Sequence, residues 1–532
     1  MAVALLHKSG VSRKTILRVA GILAMAALAT AGLSQNTANF AVQFPASGVP
    51  AAHDKFIQGL IALYNATPGA AESFRAAQSI DPDFVMAYWG EAMTFNHTFS
   101  AEQDISGGRR ALAKLGPARA ARAAKAKTER EREYLNAAEI LYGEGDRDQR
   151  DSRFADAMRA LSLHYPDDVD ASVFYALALL GTLRFTDHTY DIQMTAASVL
   201  GPLLEKFPNH PGALSSFIHA NDDPEHAHLA LAAAERYEEL AGDNFHALHM
   251  PSHIYVQLGM WPEVVRANRT AFEASDRDMR AKGLSVAFRD YHSLDWLIYG
   301  ELQMGQYRKA REHVMLSLES AQQPNVPRGM GGQAAVFAAR FAVETGQWDI
   351  LAPFPQVHRT AELLFAQGMA AVNRNDPHRA RSIIAALDSL SQEDSRSGRR
   401  TKTALDDSLK NELAAALALS EKRPADAERL AAESVEYETT IEFPSGPPDL
   451  IKPSYEFYGE TLLALHKPAL AAQQFSIELK RMPNRALSLL GLARARAAEK
   501  DEAGATRAYR ELARIWANAD PEVRSRIADK LR

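Results

Sequence analysis

Residues 458–475 read YGETLLALHKPALAAQQF, and residues 492–509, which begin 34 positions later, read LARARAAEKDEAGATRAY. When the second segment is laid on the first, four positions correspond: Ala464 with Ala498, Lys467 with Asp501, Ala471 with Ala505, and Phe475 with Tyr509. Small residues recur where two helices must approach closely, and an aromatic residue recurs where it can fill the next layer. A period of this length predicts a supersecondary unit repeated along the chain.

Looser copies of this unit occur upstream at unequal spacings. They begin near Phe56, Ala87, Ile254, Leu294, Ala335 and Leu364. Each has apolar residues at i, i+3, i+4 and i+7, and the turns carry Gly, Pro or Asp, which indicates amphipathic helices. No stretch alternates with period two for long enough to form a sheet. The sequence therefore predicts an all-α fold, an irregular solenoid of tetratricopeptide-type helix hairpins.

The N-terminus carries the pattern of a secretory signal peptide. Lys8, Arg13, Lys14 and Arg18 precede an apolar run at 19–29, and small residues follow at Ala29 and Ala31. The run is shorter than the roughly 20 residues that a membrane-spanning helix needs. We therefore expect residues 1–31 to be a signal peptide, and the mature chain to be periplasmic or secreted without a transmembrane segment.

A loop rich in Pro and Gly at 324–332 suggests a division of the mature chain. We expect an N-terminal helical repeat region at 32–323 and a C-terminal tetratricopeptide region at 333–532, both within one superhelix. The chain has no cysteine, so packing rather than disulfides must stabilise it. A metal site would have to be built from His, Asp, Glu or Met.

Charge narrows the choice of partners. The formal net charge is −6, and removal of the four positive leader residues takes it to −10. Nucleic-acid-binding proteins carry a clustered basic face, which is missing from this sequence. The motifs G-x-S-x-G, G-x-G-x-x-G and the Walker loop are also missing. These features favour a binding protein with a protein or peptide partner over an enzyme.

Histidine is concentrated in one window. Seven of the seventeen histidines lie between His210 and His253. Pro251 is expected in the first turn of a helix, which would gather imidazoles around its start. The predicted metal ligands are His219, His246, His249 and His253, with Asp222, His226 and His292 as possible additions.

Imidazoles with a carboxylate could bind zinc, copper or iron, although the spacing does not match H-E-x-x-H. The competing interpretation is a structural polar network that orders an irregular turn, and the sequence alone favours it.

A second pair of titratable residues lies near the C-terminus. Glu456 and Glu460 are four residues apart on one predicted helix, after Lys452. They could reach a shared partner. Paired glutamates on a helix more often form a solvated face, and this interpretation is favoured.

Several segments resemble a family of bacterial exported tetratricopeptide proteins without an assigned activity. They are MAYWGEAMTFNH at 86–97, PNHPGA at 208–213, IHA at 218–220 before DDP at 222–224, and HMPSHI at 249–254. The resemblance implies export and a helical-repeat fold, but no established reaction. The family usually has a His-Tyr pair soon after H-P-G-A, where this chain has Leu214, Ser215 and Ser216. A ligand set that relied on that histidine would be incomplete here.

The sequence leaves two main functions open, beside a purely structural envelope component, which the acidic composition permits but does not support. The leading hypothesis is an exported scaffold or binding protein whose concave groove takes a protein, a peptide or a small ligand. The alternative is a metal-binding protein or a metal-dependent enzyme centred on the histidines from His210 to His253.

Overall fold

The computed structural model describes residues 40–67, 69–98, 102–183, 189–327, 329–354, 360–441 and 444–530. The predicted signal peptide lies outside these residues. Helices make up almost all of the regular structure, and the prediction of an all-α fold is confirmed. One short antiparallel ladder pairs β1 (Asn96–His97) with β2 (Glu102–Gln103). Within the described ranges, none of the helices combines the length and apolarity that crossing a membrane requires.

The helices follow one another as packed neighbours along the chain. The first nine are α1 Pro50–Tyr64, α2 Ala70–Ile80, α3 Val85–Met93, α4 Ile105–Leu115, α5 Arg119–Ala123, α6 Glu129–Leu141, α7 Arg147–His164, α8 Val169–Leu180 and α9 Asp191–Lys206. Four of them begin at a side chain that accepts a hydrogen bond from the first turn, which satisfies one free N–H there. These N-caps are Asp104, Thr128, Asp146 and Asp168.

The middle of the chain forms the next eight helices. They are α10 Pro211–Ala220, α11 Ala227–Leu240, α12 Phe245–His249, α13 Ser252–Gln257, α14 Trp261–Ala281, α15 Tyr291–Gln303, α16 Tyr307–Ala321 and α17 Gly329–Thr345. The remaining helices are α18 Ala361–Asn373, α19 Pro377–Arg396, α20 Arg400–Ser420, α21 Pro424–Glu438, α22 Ser454–Ala464, α23 Pro468–Arg481, α24 Ala486–Ala498, α25 Glu502–Ile515 and α26 Pro521–Ala528. Helices α23 and α25 begin at Pro468 and Glu502, 34 positions apart, as the sequence period predicts.

One turn recurs in six helix hairpins, two residues before the second helix begins. The residue at this position, two before the second helix, has φ between 55° and 68°, in the left-handed region. The six residues are Gly259, Gly305, Asn375, Lys422, His466 and Lys500. A non-glycine residue in this conformation costs roughly 1–2 kcal/mol. The same left-handed turn at six places shows that these hairpins are copies of one unit.

A buried phenylalanine clamped between two glycines marks the unit at both ends of the array. A Cβ on Gly459 would lie 2.8 Å from the Phe475 ring, and one on Gly491 would lie 2.3 Å from it. Gly59 and Gly90 approach Phe74 in the same way. The first helices of neighbouring hairpins therefore need glycine at the position where the aromatic ring of a second helix inserts. This agrees with the layer-filling role that the sequence predicts for Phe475.

Two large apolar cores run through the described residues, beside three small apolar clusters between residues 371 and 495. The smaller contains residues from Phe44 to Ala220, and the larger extends to Ile527. Helix α10 contributes to both, with Ala213 in the smaller core and Ile218 in the larger. The larger core continues across the Pro- and Gly-rich segment at 324–332, whose last four residues belong to α17. The predicted division into 32–323 and 333–532 stays a prediction.

The two ends of the C-terminal half meet. A solenoid usually contacts only its sequence neighbours. Here Trp261 Nε1 donates to the Asn484 carbonyl at 2.9 Å, and Gln303 Oε1 accepts from the Ala486 N–H at 3.0 Å. The Asp520 N–H also donates to the Gly305 carbonyl at 3.0 Å. These contacts close α14–α26 into a ring-like array.

Candidate metal centre

The histidines converge where α10, α12, α13 and α15 meet. His219 lies near the end of α10, and His249 ends α12. Pro251 is the N-cap of α13, one residue before the first turn in which it was predicted, and His253 lies inside that turn. His249 and His253 thus lie on two short helices, α12 and α13, which are separated by Met250 and Pro251. His292 enters from the first turn of α15.

Among the described residues, two groups of three could each hold a metal ion, with one ligand atom per residue and all three atoms within 4.8 Å. We call their five residues the imidazole cluster: His219, Asp222, His249, His253 and His292. The first group is His249, His253 and His292, and the second is His219, Asp222 and His253. His253 belongs to both.

Hydrogen bonds fix which nitrogen of His249 faces the cluster. Its Nδ1 lies 2.6 Å from Asn268 Oδ1, and the Asn268 amide is oriented because its Nδ2 donates to the Val264 carbonyl at 2.8 Å. His249 Nδ1 therefore carries the proton, and the Nε2 lone pair faces His292 Nε2 at 3.0 Å. Without an ion, His292 must donate its own proton across this contact.

The ring of His253 is held by a carboxylate. Its Nδ1 lies 2.7 Å from Asp222 Oδ2, while Gln257 Nε2 donates to Asp222 Oδ1 at 3.1 Å. Gln257 also donates to the Pro444 carbonyl at 2.8 Å, which ties the cluster to the loop before α22. A ring nitrogen bound to a carboxylate is the arrangement that orients histidine ligands in metal sites.

Burial keeps four of the imidazoles at this site uncharged. It lowers the pKa of His219 and of His249 well below the ordinary value, and neighbouring imidazoles add to the effect. Burial likewise lowers the pKa of His246 to about 3. His292 lies at the open edge, and partial burial together with nearby His253 lowers its pKa. Neutral imidazole is the form that binds metal, so these rings need not lose a proton to the bulk solvent at neutral pH.

Trp296 forms the apolar wall of the cluster. Its ring centroid lies 4.8 Å from that of His249 and 4.7 Å from that of His253. A Cβ on Gly446 would lie 2.3 Å from the Trp296 ring, so only glycine lets this loop pass so closely over the indole. The loop and the indole shield one side of the three-imidazole group from solvent.

The structure brings together three of the four predicted ligands, His219, His249 and His253, with the possible additions Asp222 and His292. His246 lies beside the cluster, with its ring centroid 6.1 Å from that of His249, and belongs to neither group of three. His226 bonds Asp223 at 2.9 Å and is likewise outside both groups.

Sequence reasoning missed Asn268, Gln257 and Trp296 as parts of the site. Trp296 is four residues after His292 on α15, a spacing that puts both on one helix face and could have revealed it. Asn268 had no comparable signal in the sequence.

The solvated-face interpretation is wrong for Glu456, whereas the Glu460 side chain is 45% exposed, and the partner that the two glutamates share is Lys452. Lys452 Nζ donates to Glu456 at 2.9 Å and to Glu460 at 2.7 Å. Glu456 is fully buried and also accepts from Arg485 Nε at 2.8 Å. Burial opposes ionisation of Glu456, but Arg485 and Lys452 lower its pKa to about 2.

We call this set of connected side chains the ion network. Its members are Glu344, Lys452, Glu456, Glu460, Arg485 and Ser488.

A cleft of about 440 Å³ opens beside the ion network, inside the closed array. Tyr307 and Trp348 supply aromatic surface, and Lys452, Glu460 and Arg526 supply charge. A cleft of this size falls within the range of small-ligand sites, and about half of the residues that line it are polar or charged.

No family model matches this chain, and neither does any curated protein. Among solved structures it is similar to a tetratricopeptide repeat protein from Parabacteroides merdae, at 14% identity over 55% of this chain and 99% of that one, with a TM-score of 0.30. It is also similar to a chain of the Cut9–Hcn1 hetero-tetramer of APC/C, at 14% identity over 90% and 95% of the two chains, with a TM-score of 0.31. Membership of the exported family that contains HMPSHI stays a prediction.

Proposed function

We propose that this protein binds a divalent transition metal ion through His249, His253 and His292. The supporting observation is the pair of hydrogen bonds that orient two of these rings. Asn268 holds Nδ1 of His249, and Asp222 holds Nδ1 of His253. Each ring is thereby left with Nε2 for an ion, as in metal sites whose histidines bond a carboxylate or carbonyl through the other nitrogen.

The distances suit an ion of the size of zinc or copper. In a tetrahedral zinc site with bonds of about 2.0–2.1 Å, ligand nitrogens lie roughly 3.3 Å apart. The three nitrogens here lie within 4.8 Å of one another, with 3.0 Å between His249 and His292. An ion would replace the proton shared by those two rings. Imidazole ligands favour zinc, copper and iron over magnesium or calcium.

Elemental analysis of the mature protein tests this proposal. The protein is purified from its export compartment without chelator or a polyhistidine tag, and dialysed against zinc, copper or iron. We expect tightly bound metal in the wild type and its loss in the variant His249→Ala/His253→Ala/His292→Ala. His246→Ala is the matched control, because His246 is half-buried beside the cluster but outside both groups. Wild-type protein that is metal-free and takes up none of the three ions would overturn the proposal.

A second candidate function is the binding of a small ligand or a peptide in the 440 Å³ cleft. Its support is that aromatic and charged side chains face one space inside the closed array. Native mass spectrometry of the protein from its export compartment should detect a retained ligand, and Trp348→Ala should release it. A cleft that retains nothing in the wild type would contradict this role.

A further inference from the structure

We infer that the imidazole cluster holds two metal ions, with His253 as the ligand common to both. This inference rests on the proposed function, because the first ion is the one bound by His249, His253 and His292. The second position is formed by His219, Asp222 and His253.

The placement of His253 carries the inference. Its ring centroid lies 5.1 Å from that of His249 and 4.9 Å from that of His219. Among the described residues, it is the only one that belongs to both groups. Imidazole has two nitrogens that point in different directions, and both can bind metal once the ring has lost its N–H proton. A ring placed between two groups of ligands is therefore suited to join two ions.

The two positions differ in charge. The first has imidazole ligands and is covered by Trp296. The second includes the Asp222 carboxylate, whose other oxygen is held by Gln257. When the second ion binds, the proton on His253 Nδ1 passes to solvent, and the negative charges of Asp222 and of the deprotonated ring face the added dication. The negative charge of the Asp222 carboxylate thus lies beside the second ion, where it offsets the positive charge that this ion adds.

The alternative role for Asp222 is to orient His253 in a site for one ion. The two roles predict different metal contents, so they are separated by the variant His219→Gln. The substitution keeps a polar side chain of similar size, removes a ligand that belongs to the second position only, and leaves Asp222 to orient His253 for the first ion. The variant His219→Asn provides the same test if His219→Gln does not fold.

The experiment is copper(II) loading by equilibrium dialysis, followed by elemental analysis and electron paramagnetic resonance. We expect two copper ions per wild-type chain, with a resonance intensity well below that of two independent ions, because a bridging imidazolate couples their spins. The variant should hold one copper ion with the full intensity of one. His246→Gln, the matched control, should behave as the wild type does.

One copper ion per wild-type chain, at full intensity, would overturn the second position and leave the proposed function intact. No copper would overturn both. Two ions retained by the folded variant would also contradict the inference, because the second ion would then lie elsewhere.

Discussion

The imidazole cluster and the ion network are both buried and polar, but they meet their hydrogen-bonding needs differently. In the ion network, Arg485 is fully buried and donates to Glu344 at 2.6 Å and to Glu456 at 2.8 Å. In the imidazole cluster, two uncharged rings face each other through Nε2 atoms 3.0 Å apart. The ion network pairs opposite charges, whereas the imidazole cluster brings together atoms that are mainly hydrogen-bond acceptors.

The difference separates a structural cluster from a binding one. Buried polar groups are tolerated when each has a partner, and a network with all its partners makes the fold more rigid. The ion network has such partners within the chain. The imidazole cluster directs several lone pairs at one place, where a cation would satisfy them better than a shared proton does. Four predictions test this division.

The largest effect is expected from Arg485→Met. The substitution leaves Glu344 and Glu456 buried without their main cation, and removing one partner of a buried ion pair costs about 3–5 kcal/mol. Urea denaturation followed by circular dichroism measures the loss. Arg494→Met is the matched control, since Arg494 is exposed on α24, the helix that begins directly after Arg485. It should change stability by less than about 0.5 kcal/mol. Equal effects of the two substitutions would contradict a structural role for the network.

Metal should stabilise the fold through the other region. An ion that binds only the folded chain adds about 2.7 kcal/mol at a free concentration of 100 times its Kd. Thermal denaturation with and without zinc measures this gain. It should vanish in His249→Ala/His253→Ala/His292→Ala and persist in Arg494→Met. A gain that survives in the triple variant would place the ion outside the imidazole cluster.

Acid should weaken the metal-free protein through the same histidines. The pKa of His249 is far below its ordinary value of about 6.5 because the ring is buried, so the unfolded state takes up a proton first as the pH falls. Stability is therefore present above about pH 6.5 and is lost below it, by roughly 2 kcal/mol at pH 5 for this one ring. Urea denaturation midpoints measured from pH 7 to pH 5 give the slope of stability against pH. The variant His249→Gln should make this slope smaller. An unchanged slope would show that other groups control the pH dependence.

The smallest effect is expected from Ser488→Ala. Ser488 Oγ donates to Glu456 Oε2 at 2.6 Å inside the ion network. A hydrogen bond to a charged group contributes about 1.5–3 kcal/mol, and Arg485 and Lys452 remain to satisfy Glu456, so we expect a loss of about 1 kcal/mol. Metal content should not change. Loss of metal from the Ser488→Ala protein would show that the ion network and the imidazole cluster are coupled, which contradicts their division.

The fold could be predicted from the sequence because its evidence is local. The 34-residue period at 458–509 relates two neighbouring units, and the turn residue before each second helix lies within its own unit. The site was only partly predictable. His249 and His253 are close in sequence, whereas Asn268 and Trp296 reach them from α14 and α15 through packing that no local pattern encodes.

The ion network shows the limit most clearly. Glu456 and Glu460 look like a solvated face because the partner that buries Glu456, Arg485, is 29 positions away. Arg485 in turn reaches Glu344, 141 positions away. The closure of the array determines these pairings, and a helix-by-helix reading of the sequence has no information about that closure.

That closure also restricts how this protein can evolve. An open repeat array tolerates the gain or loss of a unit, since each repeat contacts only its neighbours. Here the contacts of Trp261 with Asn484 and of Gly305 with Asp520 require a set number of hairpins between them. Duplication or deletion of one hairpin would rotate the end of the array away from its partner helices. Descendants of this gene can therefore change the length of their loops more readily than their number of repeats.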